Sequence, residues 1–229
     1  MTIQDYLMQQ VPNKAKADMM FKQGDYNAAA EHIKDFAFGC MDAEETFGKG
    51  NPQADKIAAI GLNSASLMFA QILERTAKNI EHPADNNPYN DEDISLDSNV
   101  PEMVRLNGFD IAFMAANYSD FVMQEELSVL NVMGLLTSLS QLCSIGFYFN
   151  HFKSDDIDST LGILRNANSH SDILLQKYPN EEQVKNVVKN FYIMAGLFIQ
   201  HYASVCGDYD KMIDYKLEGL EFQQKGFSM

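Results

Sequence analysis

The segment KQGDYNAAAEHIKDFA, residues 22–37, places a glycine, an aspartate and a tyrosine directly before a run of helix-forming residues. Gly24 is suited to the left-handed conformation that ends a helix. Asp25 can accept hydrogen bonds from the free N–H groups at the start of the next helix. We expect Tyr26 to pack back against the preceding helix, and Ala29 is small enough for the two helices to approach closely. The segment therefore predicts a tight turn between two antiparallel helices.

A second segment near the other end of the chain, CGDYDKMIDYKLEGLEF at residues 206–222, has the same order of residue types. Gly207, Asp208 and Tyr209 stand in the positions of the first turn's glycine, aspartate and tyrosine. Met212 takes the place of the small alanine. The repetition predicts a second helical hairpin, in which Tyr209 is buried between the two helices.

The chain between these turns also predicts helices, since helix formers dominate and strand-like alternation is scarce. Breaks are expected at Pro12 and at residues 48–52, 118–120 and 178–180. We predict an all-α fold of antiparallel helix pairs, with about eight to ten helices. In the long helix predicted for residues 53–79, the residues expected to face inward are Ile57, Ile60, Leu67, Ile72 and Leu73.

Residues 81–101, EHPADNNPYNDEDISLDSNVP, lack helical periodicity and are rich in proline, asparagine and acidic residues. Loops of this length are usually functional or disordered. We therefore predict an N-terminal helical part at residues 1–80, an acidic loop or linker at 81–101, and a C-terminal helical part at 102–229. The acidic spacing from Asp91 to Glu102 is similar to that of a calcium loop, but Leu96 stands where such a loop needs glycine. A linker is the preferred interpretation, and a weak cation site is the alternative.

The charge balance restricts the partners of this chain. Seventeen basic residues stand against thirty-two acidic ones, which gives a formal net charge of −15. Such a field repels phosphate backbones and anionic lipids, so nucleic acid is not an expected partner. A protein or peptide that is basic or amphipathic fits this surface better.

The sequence contains no recognisable catalytic, cofactor-binding or metal-binding motif. Glycine-rich phosphate loops, a nucleophile elbow and paired zinc-ligand motifs are all missing. Its three cysteines, Cys40, Cys143 and Cys206, are widely spaced, which favours reduced and buried thiols in the cytoplasm over disulfides. His151 with the nearby Asp155 is the nearest approach to a metal site, and a helix cap explains these residues better. We expect no enzyme activity, no cofactor and no metal.

The N-terminal residues lack the basic and apolar regions of a signal peptide. The segment from Leu127 to Phe152 has no charged residue and is long enough to span a bilayer. It contains several polar side chains, which are unfavourable in lipid but acceptable between packed helices. We therefore predict core helices, and no membrane span.

Together, the two turns resemble the tetratricopeptide repeat (TPR), a unit of two antiparallel helices. The first turn with Ala29 and Phe36 is similar to the turn and second helix of that repeat, and the second turn follows less closely. The aromatic residues typical of the repeat's first helix are missing, and the two turns do not lie a whole number of repeats apart. The resemblance implies a TPR-like α-solenoid, and an irregular helical bundle is the alternative.

Proteins of this repeat family bind peptides on a concave surface formed by the first helix of each pair. The resemblance therefore implies a groove without catalytic function, typical of an adaptor, chaperone or regulator. Two alternatives stay open: an all-α enzyme or small-molecule-binding protein with a pocket between apolar helices, and a structural subunit that self-associates into a homo-oligomer. The groove residues that the resemblance implies are Lys14, Asp18, Phe21, Met194, Leu197, His201 and Ser204.

Overall fold

The computed structural model describes residues 1–77, 99–148, 154–205 and 208–229, and within these residues the chain is all-α. The acidic segment at 81–98, Cys206, Gly207 and His151 lie outside the described residues, and so do the predictions made for them. The helices are α1 (Ile3–Gln23), α2 (Tyr26–Met41), α3 (Ala43–Phe47), α4 (Pro52–Thr76), α5 (Glu102–Glu125), α6 (Val129–Gly146), α7 (Ser154–Lys177), α8 (Glu182–Val205) and α9 (Tyr209–Phe227).

Helix α1 runs without interruption through Pro12, so the break predicted there is wrong. Proline removes one N–H donor and crowds the preceding turn, which normally interrupts a helix. Here Pro12 is exposed, so the carbonyl that loses its donor can be hydrated. The helix begins with a capping box in which Thr2 and Asp5 bind each other's backbone N–H groups, at 3.0 and 3.1 Å.

The described residues divide into two compact units, the first containing α1–α5 and the second α6–α9. In the first unit, α1 packs on α2, α2 on α4, and α4 on α5. Helix α5 therefore belongs with the N-terminal helices, whereas the sequence grouped residues 102–229 together. The contact between Asn63 of α4 and Ser119 of α5, with the amide nitrogen 2.9 Å from the hydroxyl oxygen, is part of this packing.

Two local predictions for the first unit are wrong. Residues 118–120, predicted as a turn, continue α5, because Ser119 is buried against α4 instead of facing solvent. In α4, Ile57, Ile72 and Leu73 are buried as predicted. Ile60 and Leu67 are exposed, because they lie seven residues apart on the face of α4 that its neighbours leave uncovered.

In the second unit, α8 is central and packs on α6, α7 and α9. The aromatic residues Phe191, Tyr192 and Phe198 of α8 are fully buried and form much of the core. Helices α8 and α9 come into backbone contact at Gly196 and Gly219. A Cβ atom added to Gly196 would lie 2.6 Å from the carbonyl oxygen of Gly219, and one added to Gly219 would lie 2.8 Å from that of Gly196.

Two described helices, α4 and α6, have the length and apolar composition needed to cross a membrane. Core helices of proteins that do not cross membranes meet the same test. In the most apolar window of each helix, 67% of α4 and 50% of α6 is buried inside the protein.

Candidate interaction surfaces

The first turn has the local geometry that its residues predict. Gly24 has a left-handed φ of 81° and ends α1. The carboxylate of Asp25 accepts a hydrogen bond from the N–H group of Ala28 at 3.1 Å, which caps α2. The Tyr26 ring packs edge-on against Phe21 of α1, with 5.5 Å between centroids, and Ala29 is fully buried. Tyr26 therefore contacts the preceding helix as expected.

Within the described residues, the second turn has an aspartate cap like that of the first. Asp208 accepts from the N–H groups of Asp210 and Lys211, at 3.1 and 3.3 Å. Tyr209, however, is 71% exposed, so the prediction of a buried wedge is wrong. Contact across this hairpin comes instead from Tyr202 and Tyr215, whose rings are 5.5 Å apart.

The two tyrosines differ because of their position around the helix. Tyr26 lies on the same side of α2 as the buried residues Ala29, Ala30 and Ile33. Tyr209 is separated from Ile213 by four residues, so both lie on a face that points away from α8. Identical local residue order therefore leads to opposite exposure.

The predicted N-terminal groove residues are already engaged within the first unit. Lys14 and Asp18 form an ion pair within α1, with 2.8 Å between nitrogen and oxygen. The half-buried ring of Phe21 contacts Tyr26 and also lies 5.2 Å from the guanidinium of Arg75. Phe21 therefore packs the hairpin instead of facing an open groove.

The predicted C-terminal groove residues share one face of α8 but differ in exposure. His201 is buried, with its ring 5.0 Å from that of Phe147. Met194 is half-buried, and Leu197 is 37% exposed. Ser204 is exposed and donates to the carbonyl of Gln200 at 3.1 Å. The two predicted sets lie in different units, so a single groove that joins them stays a prediction.

The structure shows an exposed apolar surface on α9 that was not predicted from the sequence. One face of α9 packs on α8 and buries Gly219, Phe222 and Gly226. Another face carries large apolar side chains that are between 44% and 71% exposed. We call this face the α9 stripe, and it consists of Tyr209, Ile213, Leu217, Leu220 and Phe227.

The sequence carries a signal for this surface. Ile213, Leu217 and Leu220 are spaced four and three residues apart, which is the spacing of a helical face. Phe222 and the two glycines that are buried with it belong to a second face of the same helix. The prediction of a packed hairpin accounts for one apolar face of this helix and gives no indication of the second.

Charged residues border the α9 stripe. The exposed residues Asp210, Asp214 and Glu221 lie four and seven residues apart, and so form a row along one edge of the stripe. Lys216, also exposed, lies along the other edge. The apolar surface thus has a predominantly acidic border.

Helix α1 has a comparable exposed apolar face in the first unit. Its opposite side is fixed to α2, where the Tyr6 hydroxyl donates to the carbonyl of Gly39 at 2.8 Å. The exposed side carries Lys16 and Lys22 beside its apolar residues. We call this face the α1 stripe, and it consists of Met8, Val11, Pro12, Ala15 and Met19.

A polar cluster joins α9 to α7 and α8. The Tyr192 hydroxyl lies 2.9 Å from a carboxylate oxygen of Asp172 and 3.0 Å from the amide oxygen of Asn168. Lys225 of α9 donates to the same amide oxygen at 2.8 Å and forms an ion pair with Asp172. Burial, with the hydrogen bond to Asp172, raises the pKa of Tyr192, so this hydroxyl stays protonated and serves as a structural donor.

The two described cysteines are buried. Burial raises the pKa of Cys40 to about 12 and also raises the pKa of Cys143, which keeps both thiols protonated and poor nucleophiles. Within the described part of the chain, no group of three or more His, Cys, Asp or Glu side chains is arranged to hold a metal ion.

Comparison of the chain with protein-family models, with curated proteins and with solved structures found no match.

Proposed function

We propose that this chain is a non-catalytic protein-binding module that acts in the cytoplasm as an adaptor, chaperone or regulator. The observation that carries the proposal is the α9 stripe, because five large apolar side chains share one uncovered face of a helix. Contiguous apolar patches rimmed by polar residues mark interaction sites. The proposed partner is a protein segment and not a small molecule, because the stripe runs along a convex helix.

The energetics favour a partner with an apolar face of its own. Fully burying a Leu or Ile side chain stabilises by about 1.5–3 kcal/mol. Ile213, Leu217 and Leu220 are close to half exposed, so covering each one contributes about 1 kcal/mol. A second amphipathic helix, aligned along α9, covers all three at once.

The border of the stripe defines the charge of that partner. Asp210, Asp214 and Glu221 favour lysine or arginine beside the partner's apolar residues. The net charge of −15 acts in the same direction over longer distances. The partner proposed is therefore an amphipathic helix with a basic border.

A TPR-like arrangement of helix pairs is part of this proposal. It is supported by the first turn, where Gly24, Asp25, Tyr26 and Ala29 have the roles that such a repeat requires. The exposure of Tyr209 limits the likeness to this one hairpin. The proposed binding face accordingly lies on α9 and not on the first helix of a repeat.

A fluorescent amphipathic peptide of leucine and lysine, long enough to pair with α9, tests the proposal by anisotropy. We expect Leu217→Glu to weaken binding by at least about tenfold, because it places a charge in the centre of the stripe. Ile173→Glu on α7 is the matched control, since Ile173 and Leu217 are both 56% exposed. The control variant should bind like the wild type.

Non-specific attraction to an acidic protein gives a different result. Both substitutions add one negative charge, so purely electrostatic binding would be unchanged or stronger in each variant. Equal binding of the wild type and Leu217→Glu would refute the α9 stripe as the docking surface. A leucine–glutamate peptide of the same length should bind weakly, and tight binding of that peptide would contradict the proposed role of the acidic border.

A further inference from the structure

We infer that the partner of the α9 stripe is the α1 stripe of a second copy of this chain, so that copies associate head to tail. This inference rests on the proposed function, because it identifies the segment that occupies the surface described there. The chain itself contains a helix with the required chemistry. Helix α1 exposes apolar residues and carries lysines beside them.

Each stripe lies on a helix at the edge of its own unit. Within the first unit α1 packs mainly on α2, and within the second unit α9 packs mainly on α8. Helical stacks require terminal helices with polar outer faces to remain soluble as single units. Helices α1 and α9 instead have apolar outer faces, which is the arrangement expected where a stack continues into another molecule.

The two stripes complement each other in charge, and the helices that carry them are similar in length. Helix α1 has 21 residues and α9 has 19, which correspond to about 31 and 28 Å. Lys16 and Lys22 border the α1 stripe. Lys16 lies on one edge of this stripe and can face the acidic row of Asp210, Asp214 and Glu221 in the other copy, whereas Lys22 lies beyond Met19 at the end of the stripe.

Pairing of like stripes is less favourable. Two α9 helices packed antiparallel about a two-fold axis bring the acidic row of one copy to the acidic row of the other. Pairing α1 with α9 is the combination that places opposite charges along the border.

A head-to-tail contact has a defined consequence for assembly. After one contact forms, one copy keeps an unused α9 stripe and the other keeps an unused α1 stripe, so association continues into open chains unless the geometry closes a ring. The net charge of −15 on every copy opposes this growth. Assembly should therefore depend strongly on protein concentration.

Two complementary variants test the inference by sedimentation velocity and light scattering. Met19→Glu disrupts the α1 stripe, and Leu217→Glu disrupts the α9 stripe. We expect the wild type to exceed twice the monomer mass of 25.8 kDa as concentration rises, whereas each variant alone remains a monomer. An equimolar mixture of the two variants should form a dimer and grow no further, because it contains one intact pair of stripes.

Control variants separate loss of the surface from loss of the fold. Leu106→Glu on α5 and Ile173→Glu on α7 change exposed apolar residues outside both stripes and should assemble like the wild type. Circular dichroism should show unchanged helix content in all four variants. Reversal of charge offers a second test: Lys16→Glu should weaken assembly, and adding Asp214→Lys to the same chain should restore it.

Several outcomes would overturn the inference. A monomeric wild type at high micromolar concentration would refute self-association. Assembly that survives in Met19→Glu but not in Leu217→Glu would indicate pairing between α9 helices, and a mixture that stays monomeric would exclude the α1–α9 contact. The proposed function fails separately, if Leu217→Glu binds the leucine–lysine peptide as tightly as a non-assembling Met19→Glu variant does.

Discussion

Replacement of Gly196 by alanine probes the contact between α8 and α9 directly. The added Cβ would lie 2.6 Å from the carbonyl oxygen of Gly219 and 2.8 Å from the backbone nitrogen of Gln223. Both are backbone atoms, so relief requires the two helices to separate. Because ordinary contacts of this kind begin near 3.4 Å, we expect a separation of roughly half an ångström or more and an overpacking cost of about 1–3 kcal/mol.

Alanine also has a favourable effect that must be subtracted. In a helix interior, replacing glycine with alanine stabilises by about 0.5–1 kcal/mol. The net expectation for Gly196→Ala is therefore a destabilisation of up to about 2.5 kcal/mol, with a central value of about 1 kcal/mol. Gly134→Ala on α6 is the matched control in the same unit, because nothing lies within 4 Å of its added Cβ. The control should stabilise by about 0.5–1 kcal/mol.

Urea unfolding followed by circular dichroism measures both variants, since the chain has no tryptophan to report by fluorescence. The opposite signs of the two effects make the comparison robust to errors in the absolute free energy of unfolding. Gly219→Ala should behave like Gly196→Ala. The double variant should cost less than the sum, because the first substitution already separates the helices. A Gly196→Ala protein as stable as Gly134→Ala would show that the backbones are not in contact.

Three further predictions concern single side chains. Tyr26→Ala should lower the free energy of unfolding by about 1–2 kcal/mol, because it removes the aromatic contact with Phe21. Tyr209→Ala should change the free energy of unfolding by less than about 0.5 kcal/mol. Equal effects of the two substitutions in urea titrations would contradict the difference in burial. Pro12→Ala should raise the melting temperature, because it restores an N–H donor worth up to about 3 kcal/mol within α1; no change would mean that the helix is interrupted there. Cys40 and Cys143 should resist a thiol reagent at pH 8 in the native protein and react after unfolding, because burial raises their pKa values, that of Cys40 to about 12; rapid native labelling of both would contradict their burial.

The sequence predicts local features well where the deciding atoms are near each other in the chain. The turn at Gly24 and Asp25 is an example, because a left-handed glycine and a capping carboxylate act within a few residues. The N-caps of α1 and α9 also act over short distances in the sequence, because each capping side chain binds N–H groups two or three residues further on. The all-α class also follows from the spacing of apolar residues over whole segments.

Residues that are close together in the sequence do not determine how a helix is rotated about its axis against its neighbour. Tyr209 has the same local context as Tyr26, but the glycine contact between α8 and α9 turns it towards solvent. Ile60 and Leu67 fit an inward stripe equally well in the sequence, because small and apolar residues occur on most sides of α4. Helix α5 continues through residues 118–120 because α4 covers Ser119, and this contact is between residues far apart in the sequence.

The same limit applies to the candidate site. The apolar spacing that defines the α9 stripe is visible in the sequence. Which of the two apolar faces of α9 is covered depends on α8, and only the packed structure shows it. The predicted groove residues were transferred from a resemblance to a repeat family, and Phe21 and His201 turn out to contribute to packing.

Helix α9 has two apolar faces, and either face could pack against α8. The close contact between Gly196 and Gly219 selects the face that does. If α9 rolled over to hide Leu217, that bulky side chain would have to enter a gap that has no room for even one methyl group. The close contact of the two glycines therefore favours the observed orientation of α9. The ion pair between Lys225 and Asp172 also joins the C-terminal part of α9 to α7. A change at the Gly196–Gly219 contact should alter what the surface offers to other molecules, although it lies on the opposite side of the helix.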